Sequence, residues 1–138
     1  MSKLILASQS PRRLELLKST NIIPDIVDPA NINESMKQKE KPKFYLKRIC
    51  LEKAIKVQKK YENDIILAAD TIVSTKQKIF GKPKDEKDAK KTLKYLSGRN
   101  HSVITGVCVL FKDKKKIKII ETKIKFKKLH NNEIDQYI

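Results

Sequence analysis

The sequence predicts an α/β fold, and three stretches of the chain support this prediction. Ile65–Thr71 (IILAADT) opens with an uncharged run that lacks polar alternation, as in strands that helices cover on both faces. Lys3–Ala7 is a short apolar strand that leads into a helix start at Ser10 and Pro11. Pro42 to about Lys60 has apolar residues at helical spacing. Strands and helices therefore alternate along the first half of the chain.

The composition indicates one domain, 1–138, with an ordinary hydrophobic core. The chain has 138 residues, of which 39% are hydrophobic. Its formal charge of +16 arises from 32 Lys and Arg against 16 Asp and Glu, and attracts polyanions such as nucleic acids, nucleotides and acidic membranes. Because the lysines are spread over every segment, solvated lysine-rich surfaces are the simpler explanation of this charge.

Targeting signals and metal clusters are not evident in the sequence. The apolar run at the N-terminus is too short for a signal peptide, and no window approaches a membrane span, so we expect a cytoplasmic protein. Cys50 and Cys108 stand alone, and we predict reduced core thiols. His101 and His130 lack metal partners at useful spacing, and we predict solvent or turn positions for both.

The first half of the chain predicts a strand, a loop and a long helix after the first helix. Ile22–Val27 is the strand, which Asp28 and Pro29 close. Ala30–Lys41 is polar and without periodicity, which predicts a mobile loop. The long helix from Pro42 carries its apolar residues on one side, at Leu46, Ile49, Cys50, Ala54 and Val57.

The second half predicts a hairpin, a helix and two further strands. Thr71–Thr75 and Lys78–Phe80 form the hairpin around Lys76 and Gln77, and a helix follows that Asp85 caps and Gly98 ends. The later elements are a strand at Ser102–Phe111 interrupted by Thr105 and Gly106, a turn at Asp113–Lys116, an edge strand at Ile117–Lys127 and a helix that starts at Asn132–Ile138.

Asp70 is the first candidate site residue. In an open α/β sheet, ligands bind beyond the carboxyl ends of the strands, and a carboxylate that leaves a buried strand there is well placed for metal or water. An aspartate at the end of a strand can equally cap the next turn. The residues around Asp70 alone leave both interpretations open.

The first strand–helix junction has the composition of a phosphate site. The N-terminus of the helix offers free N–H groups, Ser8 and Ser10 add hydroxyls, and Arg12 and Arg13 add guanidinium groups that fit phosphate oxygens. A capped helix with two solvated arginines has the same sequence. Phosphate binding is the functional interpretation of the two.

Three further charged residues are candidates. Lys53 projects from the apolar side of its helix, so its ammonium must extend to solvent or meet an anion such as a triphosphate. In Gly81-Lys82-Pro83, the glycine allows close backbone approach and the proline stiffens the loop that presents Lys82. Glu34 lies in the polar loop, as a solvated or a catalytic carboxylate.

Five motifs in order resemble the Maf family of nucleoside triphosphate pyrophosphatases: LILASQSPRR at 4–13 within the match from residue 3, LEKA at 51–54, AADTIV at 68–73, GKP at 81–83 and LSGRNHSVITGV at 96–107. The resemblance implies a curved mixed sheet with helices around it, similar to the inosine triphosphatases, and a cleft between two lobes. It also implies hydrolysis of a nucleoside triphosphate to the monophosphate and pyrophosphate with a divalent metal, Mg²⁺ or Mn²⁺, usually by a homodimer.

The resemblance also implies roles for individual residues. Asp70 matches the catalytic acid, described as the proton acceptor, and Arg12 and Thr71 match positions tied to substrate choice. The residues that match the lining of the phosphate and metal site are Ser8, Arg13, Glu34, Lys53 and Lys82, with Glu34 and Asp70 as metal ligands. SPRR together with DT looks like the branch that acts on dTTP and UTP.

Two departures from the family pattern leave alternatives open. Asn33 stands where members usually have aspartate, which removes one possible metal carboxylate, and members continue beyond residue 138 through a further segment. The alternatives are a nucleotide-binding remnant without turnover and a basic nucleic-acid-binding protein. Nucleic acid is the less expected partner, because only 6% of residues are aromatic and tryptophan is absent.

Overall fold

The computed structural model describes residues 2–76 and 78–138. In this part of the chain, the secondary structure consists of four helices and one six-stranded mixed sheet. The elements in chain order are β1 (Leu4–Leu6), α1 (Pro11–Ser19), β2 (Ile26–Val27), α2 (Pro42–Gln58), β3 (Ile65–Ser74), β4 (Ile79–Phe80), α3 (Glu86–Leu96), β5 (Asn100–Phe111), β6 (Lys114–Lys125) and α4 (Asn131–Tyr137). The predicted α/β fold is confirmed.

The sheet has the strand order β2-β1-β3-β5-β6, and β4 pairs with β3 outside this path. β1 lies parallel to both β2 and β3, with Ile5 opposite Ile26 and Ile66. β4 runs antiparallel to the end of β3, with Val73 opposite Phe80. Parallel neighbours need a crossover connection, which α1 and α2 supply here.

The chain divides into two compact units, and the first consists of Met1–Asp70 with Gly106–Ile119. Its core lies between β1, β3, β5 and one side of α2. The largest fully buried side chains all belong to this unit and are those of Ile5, Leu6, Leu46, Ile49, Ile66, Val57, Cys50 and Cys108. Both cysteines are free and buried, as predicted.

The second unit consists of Thr71–Thr105 with Ile120–Ile138. Asp85 caps α3 by accepting a hydrogen bond from the Asp88 N–H at 2.7 Å, and Leu96 and Ile134 place the buried sides of α3 and α4 in the core. Lys90 of α3 forms a 3.0 Å ion pair with Asp135 of α4. Gly98 follows α3 with a φ of 70°, a backbone conformation that suits glycine.

Two strand predictions in the first half need correction. The predicted strand Ile22–Val27 is reduced to Ile26–Val27. Pro24 has no N–H to donate to a ladder, and the Asp25 carboxylate, not a strand carbonyl, accepts the N–H of Leu4 at 2.8 Å. The strand that begins at Ile65 does not end at Thr71 but continues to Ser74, where β4 pairs with it. The hairpin is confirmed, while Gln77 in its turn lies outside the described residues.

β5 was predicted to break at Thr105 and Gly106, and this prediction is wrong. The strand is continuous over Asn100–Phe111. A Cβ atom at Gly106 would lie 3.0 Å from Leu46 Cγ, Cys50 Sγ and Ile119 Cδ1. The absence of a side chain at Gly106 therefore allows α2 to pack closely on the sheet, and the glycine does not interrupt the strand. The turn that follows lies at residues 112–113, so β6 starts earlier than predicted, at Lys114.

The prediction of a solvent or turn position is wrong for His101. The side chain lies in β5 and is 6% exposed, and its ring meets the Phe126 ring edge-on at a centroid distance of 4.6 Å. Within the described residues, Nδ1 has no hydrogen-bond partner. Burial lowers the pKa of His101, which a hydrogen bond to the Arg99 backbone partly opposes. His130 is exposed and precedes α4 at the N-cap position, in agreement with the prediction.

No helix in the described part of the chain combines the length and the apolar character that crossing a membrane requires.

We expect Gly106→Ala to destabilise the protein by about 1–3 kcal/mol, because the added methyl group must displace three packed side chains. Gly81→Ala is the matched control, since nothing lies within 4 Å of the position that its Cβ would take. Urea unfolding of both variants measures the difference. Equal stability of the two variants would contradict the packing role of Gly106.

We expect the free energy of unfolding to decrease as the pH falls below the usual histidine pKa of 6.5, because the unfolded chain then binds a proton that buried His101 resists. His101→Phe removes this group and should reduce the decrease. Urea titrations at neutral pH and one unit below 6.5 measure it. His130→Asn is the control and should retain the wild-type pH dependence.

Candidate active site

The centre of the candidate site is an ammonium group between two carboxylates. Lys53 Nζ lies 2.8 Å from Glu34 Oε1 and 3.5 Å from Asp70 Oδ2. The Lys53 side chain is 16% exposed, that of Asp70 21% and that of Glu34 50%, so the cluster opens to solvent on the Glu34 side. All three residues belong to the first unit.

The helix position of Lys53 explains why its side chain is largely buried, with 16% of it exposed. Its neighbours at helical spacing, Ile49, Cys50 and Val57, are fully or almost fully buried. A lysine on this side of α2 must pair its charge within the protein or lose hydration without compensation. The two carboxylates supply the pairing, so of the two predicted outcomes, extension to solvent or an anion partner, the structure has the second.

Asp70 lies inside β3 and not at its carboxyl end, which corrects the sequence-based placement. Its neighbour β1 ends at Leu6, and the last ladder bond from that side runs from the Ala7 N–H to the Leu67 carbonyl at 2.9 Å. Asp70 therefore lies beyond the end of β1 although its own strand continues. The carboxylate stands at an edge that the neighbouring strand has left open, as ligand sites in α/β sheets require.

The first turn of α1 places a second group of candidates. Ser10 caps the helix by accepting the N–H of Arg13 at 3.4 Å, as predicted, and Pro11 is the first helical residue. Ser8 is buried, and its Oγ accepts hydrogen bonds from the Ser10 N–H at 3.2 Å and from a guanidinium nitrogen of Arg13 at 3.4 Å. Arg12 is exposed. The junction thus holds a hydroxyl, an arginine fork and a helix N-terminus together.

Charges from both groups of candidate residues act on the buried thiol of Cys50. Burial, with a smaller contribution from the Asp70 carboxylate, raises its pKa to about 12, and the charges of Lys53 and Arg13 oppose this increase. The electrostatic influence of both groups reaches the same sulfur atom. Cys50 Sγ itself donates a hydrogen bond to the Gly106 carbonyl at 3.4 Å, which holds the thiol on the core side of α2.

Thr71 and Lys82 belong to the second unit. The Thr71 hydroxyl lies 3.1 Å from that of Thr105 within this unit. Lys82 is exposed in the loop after β4. The close backbone approach expected at Gly81 is not seen among the described residues, where its Cβ position is open. The site roles of Thr71 and Lys82 stay predictions.

The donor set around Lys53 fits a divalent cation that keeps several waters. Carboxylate oxygens are the preferred ligands of Mg²⁺, which proteins commonly bind through one or two carboxylates plus substrate phosphates. Glu34 and Asp70 both pair with one ammonium, so the two carboxylates lie on the same side of the cluster. In the described residues, no group of three or more His, Cys, Asp or Glu residues could hold a metal ion by itself.

Sequence reasoning missed the residues that hold the segment of Glu34 in place. Tyr45 and Arg48 of α2 donate to carbonyl groups in the predicted mobile loop, and Arg48 pairs with Glu40 at its end. The spacing of Arg48 and Glu52 predicts only an ordinary helix ion pair. No sequence pattern links Arg48 to Glu40 across the loop.

Comparison with known proteins shows the family of this chain. The family model described as Maf-like protein matches residues 3–138. The chain belongs to the Maf family. The chain is 44% identical to the dTTP/UTP pyrophosphatase of Caulobacter vibrioides over 136 residues, which cover 98% of the chain and 70% of the relative.

Two further relatives of this Maf-family chain carry the same name. The dTTP/UTP pyrophosphatase of Pyrococcus furiosus is 44% identical over 142 residues, which cover 100% of the chain and 72% of the relative. That of Clostridioides difficile is 42% identical over 137 residues, which cover 98% and 70%. The similarity thus extends over the whole Maf-family chain and about seven tenths of each relative.

We expect neither cysteine to react with iodoacetamide at neutral pH in the folded protein, because burial raises the pKa of both thiols and only the thiolate is nucleophilic. Both should react in urea. Mass spectrometry of the alkylated protein counts the modified thiols. Rapid labelling of Cys50 without denaturant would contradict the packing of α2 described above.

Proposed function

We propose that this chain is a nucleoside triphosphate pyrophosphatase that acts on dTTP and UTP. The observation that carries the proposal is the pair of carboxylates, Glu34 and Asp70, around the Lys53 ammonium. The names of the relatives support the substrate class, since each is a dTTP/UTP pyrophosphatase with over 40% identity to this chain. The reaction yields the nucleoside monophosphate and pyrophosphate.

In the proposed site, Glu34 and Asp70 would hold a divalent cation, Mg²⁺ or Mn²⁺. When bound, such a cation supplies positive charge at the phosphates and lowers the pKa of a bound water. Glu34 is suited to this role because half of its side chain is exposed, so its carboxylate is accessible from solvent. Asn33 carries an amide and so adds no third carboxylate, and its side-chain oxygen accepts the Ser35 N–H at 3.0 Å.

Asp70 is proposed to orient the attacking water and to accept its proton. The water oxygen attacks the α-phosphorus, the bond from this phosphorus to the α,β-bridging oxygen breaks, and pyrophosphate leaves with the electron pair of that bond. The proton that the water loses would pass to the Asp70 carboxylate, which acts as the general base. Asp70 Oδ2 lies 3.5 Å from the Lys53 ammonium, which places this carboxylate within the cluster of candidate residues.

The cations of the site are proposed to bind the triphosphate. Arg13 lies against the Ser8 hydroxyl at the N-terminus of α1, where free N–H groups favour anions. Arg12, Lys53 and Lys82 add charge that offsets the negative charge on the leaving pyrophosphate. Arg12 and Thr71 are proposed to influence the choice of base.

We also propose that the protein forms a homodimer and is located in the cytoplasm, where nucleotides are abundant.

We expect Asp70→Asn to lower pyrophosphate release by at least ~100-fold while dTTP binding changes little, because the amide cannot accept the proton of water. The measurement is pyrophosphate release from dTTP, UTP, CTP and the purine triphosphates with Mg²⁺ or Mn²⁺, together with dTTP binding by calorimetry. Asp113→Asn, in the exposed turn before β6, is the matched control and should keep wild-type turnover.

Release from the Asp70→Asn variant at the wild-type rate would overturn the role of Asp70. Tight binding of dTTP by the wild-type chain without any release would instead identify a nucleotide-binding protein. Preference for purine triphosphates would overturn the proposed substrate class and leave the reaction intact.

A further inference from the structure

The segment 31–40, here called the Glu34 loop, carries one of the two site carboxylates and lies along α2. It contains neither helix nor strand. Three side chains of α2 donate hydrogen bonds to its main chain: Lys56 to the Asn31 carbonyl, Tyr45 to the Glu34 carbonyl at 2.5 Å and Arg48 to the Ser35 carbonyl at 2.9 Å. The main chain of the loop is therefore fastened to α2 at Asn31, Glu34 and Ser35.

The hydrogen bonds from Tyr45 and Arg48 hold the main chain at Glu34 and at the residue after it. Tyr45 and Arg48 are three residues apart and so share one face of α2. Their acceptors are consecutive carbonyls, those of Glu34 and Ser35. The Arg48 guanidinium also lies 5.5 Å from the centre of the Tyr45 ring, so the two donors pack on each other. Hydrogen bonds to these two consecutive peptide units fix the main chain directly after the Cα atom of Glu34, from which its side chain starts.

Arg48 further binds the end of the loop through Glu40. Its Nε lies 2.8 Å from Glu40 Oε2, and a terminal nitrogen donates to Oε1 at 2.8 Å, which is the two-pronged geometry that arginine offers a carboxylate. Oε1 also accepts the Lys37 N–H at 3.1 Å. Arg48 lowers the pKa of Glu40 to about 2, so this carboxylate stays ionised across the range of physiological pH.

We propose that Arg48 and Glu40 are a positioning pair that holds Glu34 against Lys53 and Asp70 for the pyrophosphatase reaction. The inference rests on the function proposed above. Arg48 and Lys53 stand on the same rigid helix, so a loop fastened to Arg48 has a fixed distance to the Lys53 ammonium. Neither Arg48 nor Glu40 touches the reacting groups, and both act through the position of Glu34.

A matched pair of substitutions isolates the contact with the loop. Arg48 also forms a weaker ion pair with Glu52 at 3.4 Å, four residues along its own helix. Glu40→Gln and Glu52→Gln each neutralise one carboxylate partner of Arg48, but only the first partner lies in the Glu34 loop. We expect Glu40→Gln to lower kcat for dTTP by ~10-fold with KM within about twofold, because outer residues that orient a site ligand have effects of this size. Glu52→Gln should stay within about twofold of wild type in both constants.

A double-mutant cycle with Glu34→Gln tests whether the pair acts through Glu34. If it does, Glu40→Gln should have almost no further effect on kcat in the Glu34→Gln background. Arg48→Lys keeps the charge without the two-pronged geometry and should resemble Glu40→Gln. Effects of Glu34→Gln and Glu40→Gln that multiply independently would overturn the proposal, as would equal losses in Glu40→Gln and Glu52→Gln.

Amide hydrogen exchange without nucleotide or metal gives a second readout that does not depend on activity. We expect faster exchange at residues 33–40 in Glu40→Gln and Arg48→Lys but not in Glu52→Gln, with α2 unchanged in all variants. Unchanged exchange in the loop would overturn the positioning pair even if activity falls. If exchange is faster in these two variants but the wild-type chain releases no pyrophosphate from any nucleotide, the fastening of the loop is confirmed and the proposed function is overturned instead.

Discussion

The ammonium of Lys53, held between two carboxylates, is the interaction on which the arrangement of the site depends. A cation on the buried side of a helix is stable only if anions replace the water that it has lost. Those anions come from two distant parts of the chain, a loop and a central strand. The pairing of one largely buried lysine therefore brings Glu34 and Asp70 to a common point.

The position of Lys53 relative to Asp70 depends on how tightly α2 packs on the sheet. Gly106 has no side chain, and Leu46 and Cys50 of the helix occupy the space in which a Cβ atom would lie. The same helix presents the apolar residues of the core on one side and Lys53 beside them. Close packing leaves the helix little freedom to shift, so a residue attached to it keeps its position relative to Asp70 on β3.

The Glu34 loop shows how a polar segment obtains a defined position without regular secondary structure. Its main-chain carbonyls accept hydrogen bonds from side chains of α2. The carboxylate of Glu40, at the end of the loop, pairs with the Arg48 guanidinium. Loops that carry functional groups gain their accuracy from the scaffold beneath them. In this chain the scaffold is a single helix, which supplies the lysine of the site and the fastening of the loop alike.

The sequence by itself determined the α/β class, the strand–helix junction at Ser10 and Pro11, the long helix α2 and the family, because apolar periodicity, capping and local motifs are encoded by neighbouring residues. It also indicated that Lys53 must either extend to solvent or meet an anion. Only the tertiary structure decided which anions these are, that β5 passes unbroken through Gly106, that His101 is buried and that Arg48 holds Glu40. Each of these depends on residues far apart in the chain, and local patterns carry no information on such pairs. The continuation of β3 past Asp70 was likewise decided by its pairing with β4, a tertiary contact.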